Sequence, residues 1–154
     1  MTRKVYSLER GLFAAPELLF KYPKVAVPED LLRLPLLARP DDSEWTMRDS
    51  NDAVVIVPVN TARMRSSNAS IRLKAAIEGL GVLRVTTSFC QSAMNAGQLV
   101  SVLPEFKCDP LGIFAFLPGR HLRPAKVRVF LDCLNSHAET SILDGVQALT
   151  SVVA

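Results

Sequence analysis

Ser67 and Asn68 stand immediately before a stretch of helical periodicity, and they are the residues best placed to touch a ligand. A short side-chain oxygen at a helix start accepts from the free N–H groups of the first turn. The same N–H groups, backed by the helix dipole, attract an anion. The chemistry on offer is hydrogen bonding to a small polar molecule or simple capping, and these residues alone leave both open. No catalytic set is expected. Cys90 and Ser92 have no histidine or carboxylate near them in a recognisable arrangement. Gly-x-Ser-x-Gly, P-loop and Gly-x-Gly-x-x-Gly motifs do not occur. His121 and His137 are far apart in sequence, so neither a metal nor a cofactor is expected.

The element that must position Ser67 and Asn68 is the run from Ser67 to Thr86. Leu73, Ala76, Ile77 and Leu80 fall at i, i+3, i+4 and i+7, which predicts a helix packed on a core, with Arg72, Lys74 and Glu78 off the stripe. Gly79 and Gly81 end it, since glycine takes a positive φ without a Cβ clash. Val82 to Val85 then read as a buried strand that Arg84 alone interrupts. Thr86 and Thr87 end that strand, where ligands bind in open α/β sheets, or they cap the helix that follows.

The rest of the chain alternates short strands and short helices. Leu12 to Ala15 reads as a strand, and Pro16 suits the first position of a helix through Tyr22. Pro28-Glu29-Asp30 opens a second short helix with acids in its first turn. Strands are expected at 34–38, 45–47, 62–66 and 99–103, with a helix over 88–96. Residues 53–59 and 111–117 are continuous apolar runs, which predicts strands buried on both faces. Pro58 marks an edge or a bend. Val127, Phe130, Leu131 and Leu134 predict a helix opened by Pro124, and Asp144-Gly145 is expected to break the weaker tail at 138–154.

The 154 residues are 49% hydrophobic and 21% charged, an ordinary globular balance able to bury a core. A net charge of +3, without a block of like charges, argues against nucleic acid as a direct partner. Cys90, Cys108 and Cys133 are widely spaced and fit reduced thiols. Residues 1–20 carry no signal-peptide pattern, and no run of about 18 apolar residues occurs, so the expected compartment is the cytoplasm and no membrane is involved.

Several segments, in order, resemble the effector-binding domain of LysR-type transcriptional regulators. Ser67-Asn68 stand where that family often has Asn-Asp, and Ala75, Ala76 and Gly79-Leu80-Gly81 match, while Thr86 replaces a usual proline. Ala14-Ala15-Pro16 and Pro28-Glu29-Asp30-Leu31 match earlier, with Leu18 and Pro23 departing from a frequent tyrosine and glycine. Gly97-Gln98-Leu99-Val100 matches residue for residue, and the closing element follows in Pro118, Arg120, Leu122, Pro124 and Lys126 to Leu134. The resemblance covers about residues 5–137.

It implies an α/β, periplasmic-binding-protein-like (type II) lobe with a mixed central sheet flanked by helices. Residues 14–108 would be the second regulatory lobe, 109–137 a returning strand and helix of the first lobe, and 138–154 a tail. It implies no enzymatic activity, and a small-molecule effector, an organic anion, held in the cleft between lobes. Ser67, Asn68, Thr86 and Thr87 would face that cleft, with Ala15 and Pro16 at the start of a helix on it. DNA would be met through a winged helix-turn-helix that this sequence does not contain. Self-association through the open edge of 111–117 is expected. A solute-binding protein of the same shape is the alternative, and a small hydrolase using Cys90 or Ser92 is a more distant one.

Overall fold

Alternation along short strands sorts the apolar residues of the larger unit onto two sheet faces. The computed structural model describes residues 2–116 and 125–150. They form two units, Glu9–Pro110 and Met1–Leu8 with Leu111–Ala154. The larger unit is built on a five-stranded sheet of β2 (Arg10–Ala14), β3 (Leu36–Ala38), β6 (Met64–Arg65), β7 (Val82–Thr86) and β8 (Val100–Val102), in the order β6-β3-β7-β2-β8. β3 runs parallel to β6 and β7, whereas β2 runs antiparallel to β7 and β8. The sheet is therefore mixed.

One face carries Leu12, Ala14, Leu36, Ala38, Val82 and Val102. It packs against a second sheet of β4 (Glu44–Arg48), β5 (Val54–Pro58) and β9 (Lys107–Cys108), in the order β5-β4-β9. Trp45, Met47 and Val57 fill that layer. The other face carries Phe13, Leu37, Leu83 and Val85 under two helices, α2 (Ala69–Ile77) and α3 (Thr87–Asn95). Burying both faces is what makes β7 a near-continuous apolar run. A short α1 (Pro16–Phe20) and a 3-10 helix (Pro28–Arg33) connect β2 to β3. Proline opens each of them, where its missing N–H costs nothing.

The Gly-Leu-Gly turn serves two separate needs. Gly79 sits at φ +73, with Gly79 N–H donating to Ala76 O and Leu80 N–H to Ala75 O, the paired bonds of a Schellman stop. Gly81 is needed for closeness instead: a Cβ there would stand 2.8 Å from the Pro35 carbonyl oxygen.

The smaller unit holds the antiparallel pair β1 (Thr2–Leu8) and β10 (Leu111–Phe116), with α4 (Ala125–Thr150) packed on β1. Leu131 is buried there.

Four expectations are corrected. β5 is the edge of its sheet, so Val54 and Ile56 stand about half exposed and the strand is not buried on both faces. β10 likewise leaves Phe114 and Phe116 exposed. α2 stops at Ile77, which puts Leu80 outside the helix and exposed; its buried residues are Arg72, Ala75 and Ala76. α4 continues through Gly145, and His121, Leu117 and Pro124 lie outside the described residues.

Candidate ligand-binding site

Parallel strands deliver their C-terminal ends to one end of a sheet. Here Ala38 of β3, Arg65 of β6 and Thr86 of β7 lie at that end. The chain enters and leaves the larger unit there too. Arg10 of β2 pairs with Thr86, Thr87 N–H donates to Glu9 O at 3.0 Å, and Arg10 Nε donates to Asp109 O at 2.7 Å.

The start of α2 follows directly from β6. Asn68 is its N-cap: Oδ1 accepts from Ser70 N–H at 2.9 Å and Ile71 N–H at 3.3 Å. Two first-turn donors are therefore already occupied by the chain itself. The exposed Asn68 amide nitrogen, exposed Ser67 and half-buried Thr86 and Thr87 remain as polar groups at this end. Ser66 Oγ accepts from Asn68 N–H at 3.2 Å and fixes the approach to the helix.

Five arginines surround these groups, and with Arg10 held on Asp109 O all five are tied down. Arg65 donates to three backbone carbonyls: Nη1 to Arg39 O at 2.9 Å and Asp42 O at 2.7 Å, and Nη2 to Val59 O at 2.6 Å. It thereby fastens the turn after β3 to the segment after β5. Arg84 pairs with Asp42 at 3.0 Å, and its guanidinium lies 5.5 Å from the centre of the Trp45 ring. Asp42 also accepts from Arg39 N–H at 3.1 Å and Trp45 Nε1–H at 3.2 Å. Burial opposes ionisation of Asp42, but those donors and Arg84 outweigh it and hold the carboxyl below its ordinary range. Burial, then the nearby Arg10 charge, pulls Arg84 down from the usual guanidinium value. Arg39 pairs with Asp41 at 3.1 Å. Arg72 reaches back from α2 to donate to Ser66 O, and burial followed by Arg39 lowers its pKa. Arg72 is 4% exposed, and its Nε has no hydrogen-bond partner among the described residues.

The fold thus brings Ser67, Asn68, Thr86 and Thr87 to one end of the sheet. It does not bring Ala15 and Pro16 there. Ala14 pairs with Val100 at the opposite end of β2 from Arg10, so Ala15 and Pro16 follow at the far end, with Ala15 fully buried. The antiparallel sense of β2 reverses them, and no single-strand pattern reveals that sense. Sequence reasoning also missed Arg39, Arg65 and Arg72. The one usable signal was Arg84, a cation interrupting a buried strand, which requires a buried partner.

Cys90 is fully buried on α3, and desolvation pushes it up to about 12. Among the described residues no cluster of His, Cys, Asp or Glu is arranged to hold a metal, and no helix is long and apolar enough to cross a membrane.

Comparison with known proteins gives one consistent answer. The LysR substrate binding domain family matches residues 2–139. The chain is 24% identical over 137 residues to the HTH-type transcriptional regulator PtxR of Pseudomonas aeruginosa, covering 87% of this chain and 43% of PtxR. The full-length structure of the Vibrio cholerae virulence activator AphB aligns with a TM-score of 0.72 at 25% identity, covering 89% of this chain and 47% of that one. The regulatory domain of Vibrio vulnificus AphB, treated with cumene hydroperoxide, aligns with a TM-score of 0.64 at 28% identity, over 86% of this chain and 66% of that one. The chain spans less than half the length of PtxR and of full-length AphB. With a matching family over nearly its whole length and the same mixed sheet beneath it, this chain belongs to the LysR substrate-binding domain family.

Proposed function

We propose that the chain is the small-molecule-sensing part of a LysR-type transcriptional regulator, with residues 14–108 as its second regulatory lobe. The effector is a small organic anion. It contacts Asn68 through the side-chain amide, with Ser67, Thr86 and Thr87 beside it. The observation that carries this reading is the gathering of those four residues, with Arg10, Arg39, Arg65, Arg72 and Arg84, at one end of the sheet. The arginines outnumber Asp41, Asp42 and Asp109 there, so the local field favours negative charge. The first-turn N–H groups contribute less than a free helix start would, since Asn68 holds two of them. Contact with DNA belongs to a separate helix-turn-helix region of the whole regulator, which works in the cytoplasm as an oligomer. The chain itself performs no catalysis.

The test is a thermal-shift screen of this chain against small mono- and dicarboxylates, with hits measured by calorimetry. Asn68→Leu should abolish binding of any hit, and Ser67→Ala should weaken it by about 0.5–1.5 kcal/mol, the worth of one hydrogen bond. Hits that bind both variants as tightly as the parent would overturn the placement. A screen in which only neutral or cationic compounds bind would overturn the anion assignment.

A further inference from the structure

The larger unit has a cavity of about 650 Å³ at the other end of its sheet, away from Asn68 and Thr86. Its walls are α1, the segment after it, β8 and the connection from β8 to β9. Leu19, Phe20, Val25 and Phe106 give it an apolar body, and Lys24 and Glu105 are its charged residues.

Four features set it apart from an ordinary surface dimple. Its volume lies in the range of small-molecule sites, about 300–1,000 Å³. Phe20 is 88% exposed at the end of α1, an aromatic ring that the fold itself leaves uncovered. Leu103, in the wall, is held at φ 53, in the left-handed region that side chains with a Cβ rarely occupy. It is buried there, and its carbonyl accepts from Phe106 N–H at 3.0 Å. Backbone held in such a region is a recurrent mark of ligand sites. Lys24 has no ion-pair partner among the described residues.

We propose that this cavity binds a small amphipathic organic acid, its alkyl or aromatic body on Leu19, Phe20, Val25 and Phe106 and its one carboxylate on Lys24. Glu105 limits the ligand to a single negative charge, since a second would face a like charge. The site is separate from the one at the arginine-rich end. A ligand there therefore acts as a second input to the same lobe.

The experiment is calorimetric titration of the full chain with decanoate below micelle formation, with decanol and decylamine as controls. Decanoate is expected to bind saturably at one site, more tightly than either control. Lys24→Gln should weaken it about three-fold, the scale of one exposed charge pair, and Glu105→Gln should tighten it. Val100→Trp, an aromatic residue on an exposed edge strand, should close the cavity and remove binding while the melting temperature holds. Asn68→Leu should leave decanoate binding unchanged. No saturable binding, decanol binding as tightly as decanoate, or affinity indifferent to Lys24→Gln and Val100→Trp would overturn the proposal. So would loss of binding in Asn68→Leu.

Discussion

The guanidinium of Arg84 stands 3.0 Å from the carboxylate of Asp42, and both side chains are nearly buried, 9% and 13% exposed. The two partners are not equivalent. Asp42 keeps Arg39 N–H and Trp45 Nε1–H if Arg84 is removed. Among the described residues, Arg84 keeps only the Trp45 ring if Asp42 is removed. Asp42→Ala should therefore cost about 3 kcal/mol, as for a buried charge left unpaired, and Arg84→Met clearly less. Urea midpoints of the two variants check the order. Equal losses would mean that the shared ion pair, and not the stranded arginine, sets the cost.

The same carboxylate sets an acid limb. Its folded pKa lies below the ordinary 3.8, so the folded chain binds fewer protons than the unfolded one. This contribution is present above the ordinary value and drains as pH falls through the lower folded one. Melting temperature followed from pH 5 downward should fall less steeply in Asp42→Asn than in the parent. Parallel slopes would show that Asp42 carries none of the acid sensitivity.

The thiols should separate cleanly by environment. Cys133 is exposed, whereas Cys90 and Cys108 are buried, and burial raises both of their pKa values. Reaction with iodoacetamide at pH 8 should modify Cys133 within minutes and the other two only after denaturation, since the thiolate is the nucleophile. Peptide mapping of the alkylated chain gives the answer, and early labelling of Cys90 would contradict its burial.

Glycine substitutions in the turn after α2 should differ in size and cause. Gly79→Ala meets no neighbour within 4 Å and should cost about 1 kcal/mol through its positive φ alone. Gly81→Ala drives a methyl against the Pro35 carbonyl and should cost about 1–3 kcal/mol through overpacking. Denaturant midpoints distinguish them.

A gel shift with this chain should show no sequence-specific DNA complex at physiological salt. Its net charge of +3 is small, and five arginines at the sheet end are engaged with Asp41, Asp42, Ser66, Asp109 and loop carbonyls. A discrete shifted band that competitor DNA fails to remove would count against this.

Local elements were legible because their signals are local. The cap, open between Ser67 and Asn68 in the sequence and Asn68 in the structure, proline at the start of α1 and the glycine stop of α2 each need only neighbours in sequence. Exposure was not legible. The runs 53–59 and 111–117 look alike as letters whether a strand is central or at an edge, and position in the sheet decides that. The position of Ala15 and Pro16 at the far end of β2 was hidden for the same reason, since strand direction is fixed by pairing partners about 70–90 residues away. Arg72 falls off the i, i+3, i+4, i+7 stripe of α2 by its spacing. Its long stem instead lets it lie buried while its head reaches the Ser66 carbonyl.

The 2.7 Å bond from Arg10 Nε to Asp109 O has a practical corollary. The two ends of the Glu9–Pro110 unit are adjacent in space, the arrangement that lets a unit be excised, circularly permuted or spliced into a loop of another protein. The polypeptide 9–110 contains both apolar clusters and all eight strands of the two sheets they fill. It is a natural cassette: a short glycine-serine linker could join its ends, and new ends could be opened at the exposed turn around Ser50 and Asn51.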